Sequence, residues 1–147
     1  VDPRGTRLLV ANRGGIATVV GSSLTGPRIF LGERPSRGEE GRPMAHDMQI
    51  TVASFAPDGA LCMTASRDGT ASLWDAATGS AIERFEEHTK GVFDARFSPD
   101  GAWVATGSRN GTVRVWPVAA HRIAALADAS WRELTGFRPL SGDERRA

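Results

Sequence analysis

Short apolar runs broken by turn residues dominate the middle of the chain. Residues 50–55 (ITVASF) form a β-branched and aromatic run of strand character. Ala56-Pro57-Asp58-Gly59 follows as a turn, because proline presets φ and glycine accepts a positive φ. Residues 60–66 predict a second strand, and Asp68-Gly69 is a hairpin signal. Residues 70–75 predict a third strand that ends in tryptophan and aspartate. Ala77-Thr78-Gly79 turns the chain again, and residues 81–85 give a fourth strand. Further on, Asn110-Gly111 repeats the hairpin signal. The expected unit is a sheet of four antiparallel strands.

The pattern recurs. HDMQITVASFAPDGALCMTASRDGTASLWDA (residues 46–76) aligns without a gap on HTKGVFDARFSPDGAWVATGSRNGTVRVWPV (residues 88–118). Thirteen of the 31 positions are identical, where average residue usage gives roughly two. The offset is 42 throughout: His46 to His88, Pro57 to Pro99, Gly69 to Gly111, Trp74 to Trp116. A worn third copy lies upstream at an offset of 54. There Pro3-Arg4-Gly5 answers Pro57-Asp58-Gly59, Asn12-Arg13-Gly14-Gly15 answers Ser66-Arg67-Asp68-Gly69, and Val20 stands in place of Trp74. The extra residues fall in 34–45 (RPSRGEEGRPMA), which has no period and is expected to be an exposed loop.

The combination of His, PDG, S-x-D/N-G-T and Trp, repeated in phase, resembles the WD40 repeat over about residues 3–126, most strongly over 46–118. The resemblance implies an all-β fold of propeller blades: two full four-stranded antiparallel blades, one incomplete blade, and a short helical C-terminal tail. The divisions are 1–33 for the incomplete blade, 34–45 for the loop, 46–87 and 88–127 for the two repeats, and 128–147 for the tail. The resemblance further implies a hydrogen-bonded set inside each blade. In one blade it comprises His46, Asp68, Trp74 and either Thr64 or Ser66. In the next it comprises His88, Asn110, Trp116 and either Thr106 or Ser108. Asn110 in place of aspartate removes a charge-assisted bond, and Pro117 removes a strand donor. With Gly14 and Val20, the first copy is expected to lack the set.

Length and composition narrow the function. The chain has 147 residues, 40% hydrophobic and 24% charged, with a net charge of +1. That balance gives no whole-chain field for nucleic acid or a membrane surface. No apolar run approaches a membrane span of about 20 residues, and no signal-peptide pattern is present, so a cytoplasmic setting is expected. The one cysteine, Cys62, can form neither an internal disulfide nor a structural zinc site by itself, and it is expected to be packed in its strand. A propeller needs about four to eight blades. The sequence therefore reads as the C-terminal part of a larger propeller, with further blades supplied upstream or by self-association into a ring. Residues 128–134 and 141–144 carry helix-start signals, and Trp131, Leu134 and Phe137 are expected to pack on the last blade. The stretch WRELTGFRPLSGDERR is similar to tails of bacterial WD40 proteins that carry a signalling NTPase or kinase. That similarity implies an alternative role as the sensor end of a multidomain NTPase, kinase or protease.

Candidate chemistry points away from catalysis. His46 and His88 recur with the fold, His121 lies in a last-strand region, and Asp58 and Asp100 belong to turns. No HExxH, GxSxG or GxxxxGKS/T motif occurs. No cofactor or metal is expected. One pattern suggests binding: the hairpin turn of every copy carries arginine, as Arg13, Arg67 and Arg109, and Lys90 lies in the neighbouring loop. The expectation is a non-catalytic scaffold that binds a protein or peptide, with an acidic segment favoured by this rim.

Overall fold

The structure is a computed structural model, and it describes residues 1–21, 26–32 and 45–118. These residues form ten strands in three antiparallel sheets. The first sheet holds β1 (Arg7–Ala11), β2 (Ala17–Gly21) and β3 (Arg28–Leu31) in that order. The second holds β4 (Ile50–Phe55), β5 (Leu61–Ser66), β6 (Ala71–Asp75) and β7 (Ala81–Phe85). The third holds β8 (Val92–Phe97), β9 (Trp103–Ser108) and β10 (Val113–Pro117). The sheets are all-β blades of a partial propeller. The second is the four-stranded unit read from the sequence. Among the described residues the first sheet has three strands and none that corresponds to β4. The expected fourth strand of the last repeat and the expected helical tail fall in residues 119–147, outside the described residues, together with His121.

Local chemistry repeats with the sequence. Gly5, Gly59 and Gly101 close the same turn in all three sheets, with φ of 69°, 73° and 70°. Each amide donates to the carbonyl three residues back: Asp2, Ala56 and Ser98, all at 2.9 Å. A side chain with a Cβ is strained at such a φ, so glycine is what permits the turn. β5 (LCMTAS) is buried at every position because it lies centrally with both faces covered.

The sheets are joined by apolar faces and by one clamp. Ala17, Val19 and Leu31 of the first sheet share a core with Ile50, Cys62 and Trp74 of the second. Leu9, Ala11, Ile29 and Phe55 pack around it. The Arg7 guanidinium crosses from the first sheet, donating to the carbonyls of Gly59 (2.5 Å) and Ala76 (3.3 Å) and lying over the Phe55 ring. Asp2 holds Arg7 in place from behind at 3.2 Å. On the other side of the second sheet, β8 lies against β4 and β5, and Phe85 stacks on Trp116 with ring centroids 4.6 Å apart.

Two features depart from expectation. Ala45, assigned to an exposed loop, is 2% exposed and joins the core of the first two sheets. Its amide donates to the Gly15 carbonyl at 2.9 Å, as does that of His46 at 3.1 Å. The loop's remaining residues, 34–44, lie outside the described ones. The other departure is a β-bulge at corresponding places in two sheets, between Ile50 and Val52 and between Val92 and Asp94. It leaves Thr51 and Phe93 outside the strand register.

Candidate protein interaction face

Inside the second sheet a chain of polar groups runs from tryptophan to aspartate. The Trp74 indole N–H can only donate, and it does so to Thr64 Oγ1 at 2.8 Å. The Thr64 hydroxyl then donates to His46 Nε2 at 2.7 Å. His46 Nδ1 keeps the proton, because it faces Asp68 Oδ2 (3.2 Å), which accepts only, and Thr70 Oγ1 (2.9 Å). The Thr70 hydroxyl in turn donates to Asp68 Oδ1 at 2.7 Å. Burial works against the Asp68 carboxylate. Hydrogen bonds from His46 and Thr70 outweigh that and hold its pKa well below the usual carboxylate range.

The third sheet repeats the chain with a different end. Trp116 donates to Thr106 (3.0 Å), Thr106 meets His88 Nε2 (2.8 Å), and His88 Nδ1 meets Thr112 (3.1 Å). The Thr112 hydroxyl donates to Asn110 Oδ1 at 2.6 Å. Asn110 turns its amide nitrogen to Thr89, so an amide replaces the carboxylate at the end. Burial, with Arg114 adding to it and Glu87 opposing, lowers the His88 pKa.

Of the two hydroxyls that the sequence left open in each blade, the threonine takes the central place. Ser66 and Ser108 serve the turns instead: Ser66 Oγ donates to the Met48 carbonyl (3.2 Å) and Ser108 Oγ to the Lys90 carbonyl (2.9 Å). Thr70 and Thr112 end the recurring S-x-D/N-G-T motif, but the sequence reading did not place them in the hydrogen-bonded set. In the first sheet, Gly14 and Val20 supply no side chain able to hydrogen-bond. Asn12 folds onto its own turn, accepting from Gly14 (2.9 Å) and Ile16 (3.1 Å).

Cys62 is fully buried, and its thiol is pushed up to about 12 by desolvation, against the opposing charge of Arg7. Asp58 and Asp100 accept backbone bonds within their own turns, from Ala60 (3.0 Å) and Ala102 (2.9 Å). Among the described residues no three His, Cys, Asp or Glu side chains gather as a metal site requires.

The rim of basic residues divides. Arg67, Lys90 and Arg109 line one cleft of about 320 Å³ together with Met48, Gly91 and Phe93. Arg13 is exposed on the turn of the first sheet and does not line it. The cleft is built around Gly91. Its carbonyl accepts the Arg109 amide at 3.0 Å. A Cβ on Gly91 would lie 3.0 Å from both Cα and O of Arg67, so its bareness lets the loop lie close to the Arg67 turn.

Residues 41–75 and 79–117 match the family model described as WD domain, G-beta repeat. The chain belongs to the WD40 repeat family. It is similar to the "Periodic tryptophan protein 2 homolog" of Caenorhabditis elegans, 37% identical over 51 residues. It is also similar to the "WD repeat domain-containing protein 83 homolog" of Dictyostelium discoideum, 37% identical over 49 residues. A third relative is "Nuclear distribution protein PAC1-2" of Uncinocarpus reesii, 36% identical over 59 residues. These matches cover 35%, 33% and 35% of this chain but only 6%, 15% and 13% of the relatives. WD40 repeats of this kind serve in general as protein-interaction scaffolds.

Proposed function

We propose that this chain is a non-catalytic interaction module, three blades of a larger WD40 propeller, that presents its β5–β6 and β9–β10 turns to an acidic segment of a partner protein. Stacked sheets with internally bonded Trp-Thr-His chains hold those turns rigidly, which limits the ordering cost of binding. The observation that carries the reading is the convergence of Arg67, Lys90 and Arg109 on one cleft that no acidic side chain lines among the described residues. Their charge complements carboxylates, and arginine is suited to bidentate contact with them.

The test is charge reversal. A peptide array graded from basic to acidic should retain the wild-type chain on its acidic members. The double variant Arg67→Glu/Arg109→Glu, with an unchanged circular dichroism spectrum, should lose that retention. Equal retention of both proteins rejects the acidic-partner reading.

A further inference from the structure

The bulge between Val92 and Asp94 places an aromatic ring where the sister sheet has a hydroxyl. At the corresponding bulge in the second sheet, Thr51 turns inward, its Oγ1 donating to the carbonyls of Ala65 (3.1 Å) and Val92 (2.8 Å). Residue 93 occupies the same position 42 residues later. A phenyl ring can make neither bond, and Phe93 is 44% exposed in the cleft. The Arg67 guanidinium lies 5.7 Å from the ring centroid, within cation–π range. Met48, 52% exposed, lines the same cleft. Bulges commonly re-aim a side chain at a functional position. An aromatic flanked by arginines combines the residue types that dominate interface energetics.

We infer that this cleft is a two-part receptor: Phe93 and Met48 seat one aromatic or long aliphatic side chain of an acidic peptide, while Arg67, Lys90 and Arg109 take the carboxylates on either side of it. The inference rests on the acidic-partner reading above and adds the apolar anchor. Charge alone gives steering and salt-sensitive affinity. The anchor gives selection among acidic segments, because an acidic stretch without an apolar residue leaves Phe93 and Met48 wet. Gly91 is a positioning residue, since it lets the turns of both arginines approach the same loop.

Three fluorescein-labelled heptapeptides test this by anisotropy: Glu/Asp with a central Phe, Glu/Asp with a central Ser, and Ser with a central Phe. The acidic Phe peptide should bind at least about tenfold more tightly than either of the others, the range of a hot-spot side chain. Phe93→Ala should remove the advantage of Phe over Ser, whereas Phe93→Leu should keep most of it. Because Phe93 is exposed, an unchanged melting curve is expected for Phe93→Ala, and Phe93→Leu supplies the check if that variant is unstable. If both acidic peptides bind alike and Phe93→Ala changes nothing, the anchor is overturned while the acidic-partner reading stands. If neither acidic peptide binds, or if Arg67→Glu/Arg109→Glu leaves binding intact, both are overturned. Tighter binding of a phosphoserine peptide lacking Phe also overturns the inference.

Discussion

At the residue scale, Thr64 has the greatest consequence for its size. One hydroxyl accepts from Trp74 and donates to His46 in a fully buried place. Thr64→Val keeps the shape and leaves two buried polar groups unsatisfied, for a cost of about 2–4 kcal/mol. Thr106→Val should cost less, because Trp116 is only half-buried and its indole can reach water. Urea denaturation of the two variants checks the difference. A second comparison separates backbone strain from collision. Gly15 has φ of 75°, and a Cβ there would sit 1.9 Å from the His46 carbonyl oxygen. Gly5 has φ of 69° with nothing within 4 Å. Gly5→Ala should cost only the strain of a positive φ, about 1 kcal/mol, whereas Gly15→Ala must also displace the loop that carries His46. Thermal melts should show a clearly larger fall for Gly15→Ala. The sequence located the polar chain through His46 and Trp74 but could not choose between Thr64 and Ser66. Both sit in β5 and both are buried, and only the three-dimensional path of the imidazole separates them. Phe93 was hidden for a related reason: a bulge inserts one residue, so strand alternation no longer tells which way a side chain points.

At the scale of the element, the turn sequences foretold the structure best. The PDG and DG/NG signals place strand ends within about one residue because each demands a particular backbone geometry. They also hold in the worn copy, where Pro3-Arg4-Gly5 makes the same turn without the aspartate. What they could not give is the fate of Ala45, since a run rich in glycine, proline and charge hides a small residue that packs against another sheet. The third sheet carries a pH dependence of its own. The folded state lowers the His88 pKa, so its neutral form is favoured. That contribution is complete above the unfolded value of about 6.5 and is lost as the pH falls through the folded value. Stability should therefore decline between pH 7 and pH 5, and His88→Gln should flatten that part of the profile. Melting temperatures measured across that interval decide it.

At the scale of the molecule, the repeat of 42 residues was visible because its marker residues serve each sheet internally. The joints between sheets were not, because they use residues that mark no motif. Arg7 is the clearest case: nothing in VDPRGTRLLV indicates that its guanidinium reaches Gly59 and Ala76. Arg7→Ala should loosen the first sheet while leaving the second intact. Hydrogen exchange is expected to show early loss of protection in β1–β3 and little change in β5 and β6.

The repeat also sets two equivalent faces side by side. Leu61, Ala71 and Leu73 are 0–6% exposed where β8 lies against their sheet. Their counterparts Trp103, Val113 and Val115 are 48%, 72% and 60% exposed. The first and second sheets are thus each shielded by the one that follows in the chain. On the ribosome, the newest blade to emerge stays sticky until its successor arrives, so a pause in translation between repeats is when such a protein has most need of a chaperone.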